Sequence, residues 1–255
     1  MSNIAVCYKW VADESDIRIG DDLSVDVSNA RHKISDFDRS AIEAAMTVAQ
    51  DTDNTVVTLT YGTADVKSSL KDALSRGPEK SYWIASDTAG EADGRRTSKA
   101  LAAGVKAIGD VSLVFCAEGS SDVYARQVGP RIGADLDWPV ITSVESCSLE
   151  GTTLTARRKL EDVMQTVQVE TPAVVCVLAE GFEPRVPGLK AIMSAGKKPN
   201  TQLDAESLDT EEALAQSDEL KGFAMSRKNL IIIEEDMAVA AEELAKALRA
   251  EGVLQ

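Results

Sequence analysis

Residues 111–136 read VSLVFCAEGSSDVYARQVGPRIGADL. The run from Val111 to Cys116 is apolar at nearly every position and too short for a stable helix, so it predicts a strand buried on both faces. Ala117 to Gly129 follows with Gly, two Ser and an Asp, a turn composition, and the spacing predicts a helix over Val123 to Leu136. A buried strand feeding a loop and then a helix is the half-unit of a βαβ crossover. Upstream the same alternation appears as strands at Asn3 to Tyr8, Thr55 to Thr60 and Tyr82 to Ala85. Helices are predicted over Ser40 to Gln50, over Ala64 to Ser75 with Val66, Leu70 and Leu74 at helical spacing, and over Thr97 to Ile108. Strands alternating with helices predict an α/β fold with a mostly parallel, doubly wound sheet and right-handed crossovers.

Downstream the pattern changes. Trp138 to Ile141 reads as a short strand, and SVESCSLEGTTLTARR alternates about a Glu150-Gly151 turn. Met164 to Val169 alternates again before the buried strand Ala173 to Val177, so an antiparallel portion is added to the sheet. Gly181 to Pro199 reads as a Gly/Pro-punctuated loop. Thr201 to Asp218 is acidic, polar and weakly helical, Asn229 to Ile233 reads as a strand, and Met237 to Leu248 as an amphipathic helix. The expected organisation is an α/β domain over 1–199 and a C-terminal arm over 200–255 reaching across a partner.

The composition excludes several function classes. Of 255 residues, 42 are acidic and 27 basic, a net charge of −15, which opposes binding to nucleic acid or an anionic membrane surface. At 4% aromatic content, base-stacking platforms are not expected. No apolar run reaches the ~20 residues of a membrane span. The N-terminal MSNIAVCYKW has no basic segment followed by an apolar stretch, and Cys7, Cys116, Cys147 and Cys176 are scattered without metal-ligand spacing. A cytoplasmic protein with reduced core thiols is expected.

Catalytic groups are few. The sole histidine, His32, lies in the polar stretch NARHK without a Cys, Ser or metal-ligand neighbour, and reads as a solvated loop residue. Nucleophile-elbow, zinc-protease, Walker and G-x-G-x-x-G patterns do not occur. Two stretches carry binding potential. Ala117 to Gly129 opens a helix beyond a strand's carboxyl end, where free N–H groups favour an anion and Arg126 or Gln127 could add donors. Spacing alone equally allows an ordinary strand–loop–helix turn with Asp122 as N-cap. EPRVPGLKAIMSAGKKP (183–199) concentrates Arg185, Lys190, Lys197 and Lys198 around Leu189, Ile192 and Met193. It reads either as a solvated loop or as a docking site with an apolar anchor ringed by charge.

At these stretches the sequence resembles the small (beta) subunit of electron transfer flavoprotein, over about residues 1–199. The family's V-K-x-V-P-D is answered by Tyr8-Lys9-Trp10-Val11-Ala12-Asp13, and its N-P-[FY]-D by Ser35-Asp36-Phe37-Asp38. A-L-A-M-G-A-D is answered by Ala73-Leu74-Ser75-Arg76-Gly77-Pro78-Glu79. Its late-strand signature matches Ala156-Arg157-Arg158-Lys159-Leu160-Glu161-Asp162, Gln165, Val167 and Pro172-Ala173-Val174-Val175-Cys176, with Val163 as the departure. Residues 183–199 align without a gap to E-P-R-Y-A-x-L-P-N-I-M-K-A-K-K-K-P, with Leu189 on the anchor leucine. Cys7-Tyr8-Lys9, Ser75-Arg76-Gly77-Pro78 and Gly119-Ser120-Ser121-Asp122-Val123-Tyr124-Ala125 are similar to the FixA-like branch.

The resemblance implies an electron carrier rather than an enzyme, with an adenine-nucleotide alpha-hydrolase-like fold. It implies a heterodimer with an alpha subunit carrying FAD, and AMP or a second FAD in this subunit. By position, adenine and ribose contacts fall on Cys7, Lys9, Ser35, Asp36, Tyr61 and Arg76, and phosphate contacts on Asp122, Arg126, Gln127, Val128 and Gly129. Docking of an acyl-CoA dehydrogenase-type flavoenzyme falls on Arg185, Leu189, Lys190, Ile192, Met193, Lys197 and Lys198; no metal is implied. The loop departs from G-x-Q-A-I-D-x-D, with Gly119 in place of Gln and Tyr124 in place of the second Asp. Ser86, Asp87, Ala89 and Asp93 agree in part with the bifurcating relatives' S-D-x-A-F-x-G-x-D-T. Two other readings remain: an NADH-oxidising, electron-bifurcating subunit, and a stand-alone universal-stress-type nucleotide-binding module.

Overall fold

In the strand β1 (Asn3–Cys7) every side chain after the first is buried, and successive residues point to opposite faces of a sheet. Ile4 and Val6 pack into one apolar cluster, Ala5 and Cys7 into another. The same division holds in β4 (Val111–Ala117), with Leu113 and Phe115 on one side and Val114 and Cys116 on the other. A run apolar at every position is therefore two half-runs, each facing its own layer of helices. The computed structural model describes residues 2–205, 208, 231–233 and 235–254.

The remaining strands of the large sheet are β2 (Thr55–Gly62), β3 (Lys80–Ala85), β5 (Val140–Glu150), β6 (Thr153–Lys159), β7 (Met164–Glu170), β8 (Ala173–Val177) and β9 (Asn200–Asp204). Their order across the sheet is β7-β6-β5-β8-β4-β1-β2-β3-β9. The pairings of β6 with β5 and β7 are antiparallel, and the other six are parallel. Helix α1 (Asp36–Gln50) covers one face through Ala41, Ile42, Ala45 and Val48. On the opposite face lie α3 (Gly94–Ile108), through Leu101 and Val105, and α4 (Val128–Leu136), through Ile132 and Leu136. The expected α/β fold with a mostly parallel, doubly wound sheet and an antiparallel addition is the fold observed.

Several elements differ from their expected bounds. Helix α1 begins at Asp36, four residues early. Ala64–Ser69 is a 3-10 turn leading into α2 (Leu70–Ser75). Helix α4 begins only at Val128, because Tyr124 and Arg126 hold φ of 50° and 56°, a left-handed backbone that cannot continue a right-handed helix. Of the short strand expected at Trp138 to Ile141, only Val140 and Ile141 are strand, and they open the eleven-residue β5, which continues past an irregularity at Ser143 (φ 59°) into the hairpin. Within the expected loop 181–199 lies a helix, α5 (Leu189–Ala195), entered after Pro187-Gly188 and closed by Gly196. The start of the weakly helical reading, Thr201 to Asp204, lies instead in β9, a parallel edge strand on β3. Of the strand expected at Asn229 to Ile233, residues 229 and 230 lie outside the described residues, and Ile231–Ile233 are not in a strand.

Of the described residues, 2–18 with 26–205 and 208 form one unit, built on the large sheet, and 19–25 with 231–233 and 235–254 form a second. In the second unit, α6 (Met237–Ala250) is capped by Asp236, whose carboxylate accepts the Ala238 N–H at 2.8 Å. Among the described residues no helix is long and apolar enough to cross a membrane.

Candidate functional site

From β1 the chain runs outward to β2 and β3, then returns to the other side of β1 as β4. The loops after β1 and β4 consequently leave in opposite directions and open a crevice at the carboxyl ends of the two strands, the place where doubly wound sheets bind ligands. A cavity of about 640 Å³ lies there, within the range of small-molecule sites. Cys7 lines it from the end of β1 and Lys9 from just beyond, Tyr61 and Thr63 from the end of β2, Asp93 and Gly94 from the start of α3, and Cys116, Glu118 to Ser120, Asp122 and Ala125 to Gly129 from β4, its loop and the start of α4.

The floor is fixed by main-chain bonds around Lys9. Its N–H donates to Asp38 Oδ2 at 2.8 Å, and its carbonyl accepts the Ser35 N–H at 3.0 Å. Burial pushes the Asp38 carboxyl up to about 7, against the opposing pull of the Lys9 N–H. The Lys9 ammonium crosses the crevice to Asp122 Oδ2 at 2.5 Å. Burial acts to raise the Asp122 carboxyl, but its bonds from Lys9 and Ser120 outweigh it and hold it below the usual carboxylate range.

The mouth of α4 is shaped for close approach. Its N-cap Gln127 makes no side-chain cap bond, so the first N–H groups are not satisfied by a capping side chain. A Cβ at Gly129 would stand 2.3 Å from Cys176 Sγ and 3.3 Å from Cys116 Cβ, so only glycine lets α4 lie this near the strands. The loop before α4 is braced by Tyr124. Its hydroxyl donates to Glu118, Phe37 packs against its ring at 5.1 Å, and the Arg126 guanidinium lies 4.6 Å from the ring centroid. A Cβ at position 119 would fall 2.5 Å from Tyr124 Cδ2. The Gly119 and Tyr124 departures noted in the sequence are therefore one change in space: the glycine makes room for the ring.

Of the residues expected to bind nucleotide, Cys7, Lys9, Tyr61, Asp122, Arg126, Gln127, Val128 and Gly129 line this one cavity. Ser35, Asp36 and Arg76 are not among its lining residues. Buried Ser35 supports the loop instead, its Oγ accepting the Ser121 N–H at 3.1 Å. Asp36 is paired with Lys33 at 2.9 Å and Arg39 at 2.7 Å. Arg76 pairs with Asp72 at 3.0 Å and donates to the Arg185 carbonyl at 3.3 Å. Asp38, Glu118 and Asp93 also line the cavity: Glu118 falls within the Ala117 to Gly129 stretch read from the sequence, Asp93 is the N-cap of α3, whose carboxylate accepts the Arg96 N–H at 2.8 Å, and Asp38 enters the sequence reading only as a motif position. His32 also reaches the cavity, stacked 6.2 Å from Trp10 in a short antiparallel pair (Trp10–Ala12 with His32–Ile34), not in a free loop.

The thiols scattered in sequence meet in the fold. Cys7, Cys116 and Cys176 sit near the carboxyl ends of neighbouring strands, Cys116 directly opposite Cys176. All are free; the bond with Cys7 and then burial push the Cys116 thiol well up, and burial pushes Cys176 up to about 12. Such thiols are poor nucleophiles. Among the described residues no group of three or more His, Cys, Asp or Glu side chains could hold a metal ion.

On the docking stretch, Leu189, Met193 and Val186 are 75%, 68% and 92% exposed, and Ile192 is exposed with them. Lys190 and Lys197 are exposed as well. Arg185 and Lys198 are not free cations: Arg185 pairs with Glu43 at 2.6 Å, and Lys198 Nζ donates to the Gly77 and Pro78 carbonyls at 2.9 and 2.7 Å.

The fold and crevice define an α/β protein with a candidate ligand site at the switch point of its sheet, lined in part by Lys9, Arg126 and the start of α4. Residues 22–208 match the electron transfer flavoprotein domain, and the chain belongs to that family. Its members are electron carriers rather than classical enzymes.

Proposed function

We propose that this chain is the small, beta-type subunit of a heterodimeric electron transfer flavoprotein, of the FixA-like branch, with a nucleotide in the switch-point crevice. The observation that carries the reading is the convergence of Lys9, Arg126, Gln127 and the Gly129 approach on one cavity in a chain of this family. The phosphate lies at the start of α4, where the first N–H groups receive negative charge, with Arg126 beside them and Lys9 able to turn from Asp122 to it. Tyr61 and Cys7 border the adenosine. The larger subunit holds the electron-transferring FAD, and the arm beyond 199 wraps that subunit. Helix α5 presents Leu189, Ile192 and Met193 to an acyl-CoA dehydrogenase-type flavoenzyme.

The nucleotide is AMP or a second FAD, and the extent of the cavity favours FAD. It runs from Thr63 past Gly90 and Asp93 to Gly129, more than a mononucleotide fills. FAD bound there would supply two-electron acceptance from NADH and one-electron release, and Lys9, Arg126 and the first N–H groups of α4 would hold it. Denaturing the purified heterodimer and quantifying released nucleotide tests the reading. Two FAD and no AMP place a flavin here, one FAD with one AMP makes this subunit structural, and one FAD with no second nucleotide overturns the reading.

A further inference from the structure

Helix α5 has little of its own to keep it folded. It is seven residues long, only Ala195 in it is buried, and isolated helices of this length do not persist in water. It is held instead from both ends. Ahead of it, Arg185 Nε and Nη2 donate to the two oxygens of Glu43 at 2.6 and 2.8 Å, and the Arg185 N–H adds a third bond to Oε2 at 3.2 Å. The carbonyl of the same residue accepts from Arg76 Nη1 at 3.3 Å, while the rest of that guanidinium grips Asp72. Behind the helix, Lys198 Nζ donates to the Gly77 and Pro78 carbonyls just past α2 at 2.9 and 2.7 Å and to the Leu74 carbonyl in its last turn at 3.5 Å, where a cation also meets the negative end of the helix dipole. Glu43 belongs to α1, Asp72 to the first turn of α2 and Arg76 to its C-cap, so α5 is tied to two helices of the domain.

We infer that Glu43, Arg185, Arg76 and Lys198 are positioning residues that fix the attitude of α5, so that its apolar face meets a partner flavoprotein in one orientation. A fork-to-fork Arg–carboxylate pair sets direction as well as distance, which a point charge does not. The inference rests on the docking reading above, and it removes Arg185 and Lys198 from the cations available to a partner. Lys190 and Lys197 are left to face it.

The test uses the intact heterodimer, a purified acyl-CoA dehydrogenase as the varied electron-transfer partner, and hydrogen exchange across residues 189–195. Glu43→Gln and Arg185→Gln should each raise the KM for the dehydrogenase at least five-fold with kcat within two-fold. They should also speed exchange in α5, while transfer to a small dye stays unchanged. Arg185→Lys should fall between them and the wild type, and the Glu43→Arg, Arg185→Glu double variant should recover part of the loss. Leu189→Ala separates the two ideas, since it removes the anchor and leaves the clamp. If it raises KM while the clamp variants change neither KM nor exchange, the positioning role is wrong and docking stands. If Leu189→Ala leaves KM unchanged, the docking reading falls and this inference with it.

Discussion

Asp38 shows how one side chain ties the site to stability. Its carboxyl is buried beneath the Lys9 backbone, and burial pushes it up to about 7, well above an unfolded aspartate. A raised carboxyl favours folding when protonated, so its contribution is whole below about pH 4 and is lost as pH rises through 7. Asp38→Asn keeps an oxygen for the Lys9 N–H and discards the buried charge. It should therefore stabilise the chain at pH 8 by up to about 4 kcal/mol, with the difference shrinking by pH 5. Urea melts at the two pH values measure this, and a difference independent of pH would refute the assignment. Gly129 makes a complementary prediction. Gly129→Ala drives a Cβ toward Cys176 Sγ and should cost about 1–3 kcal/mol, with weakened nucleotide retention. Adding Cys176→Ala removes the obstructing sulfur and should return part of the stability, a non-additivity expected of touching residues; simple addition in the double variant would count against the close approach.

Among the elements, legibility followed the way each is stabilised. Strands β1, β2, β4 and β8 and helices α1 and α3 owe their existence to buried apolar side chains, so hydrophobic pattern alone located them within a few residues. Helix α4 was placed but started five residues late, because positive φ at Tyr124 and Arg126 is imposed by the packing of Tyr124 on Phe37 and Glu118, which no local pattern encodes. Helix α5 was invisible because its supports are Glu43 and Gly77–Pro78, more than a hundred residues away. Edge strand β9 alternates polar and half-buried residues and takes its structure from β3. The site divides likewise. The side of the cavity supplied by Ala117 to Gly129 could be read from one stretch of sequence, whereas Asp38 and Asp93 reach the cavity by tertiary placement. Arg76, assigned by position in a motif, is drawn to Asp72 and the Arg185 carbonyl.

For the whole molecule, the net charge of −15 sets a condition on any encounter. An acidic surface repels an acidic partner over a Debye length, about 30 Å at 0.01 M salt and 3 Å at 1 M. A docking face on such a chain gains from local cations that reverse the field near the contact. With Arg185 and Lys198 engaged internally, Lys190 and Lys197 are the exposed cations beside Leu189 and Met193. Rim charges act on association rate more than on dissociation, and their effect fades as salt rises. Lys190→Glu with Lys197→Glu should therefore slow association with an acyl-CoA dehydrogenase about ten-fold or more at 0.01 M salt, and only slightly near 1 M. Leu189→Ala acts through lost apolar contact, so it should speed dissociation at both salt concentrations. Stopped-flow association and dissociation rates at the two salt concentrations separate these signatures. Equal slowing by the charge variant at both would mean that the lysines make short-range contacts and do not steer the encounter.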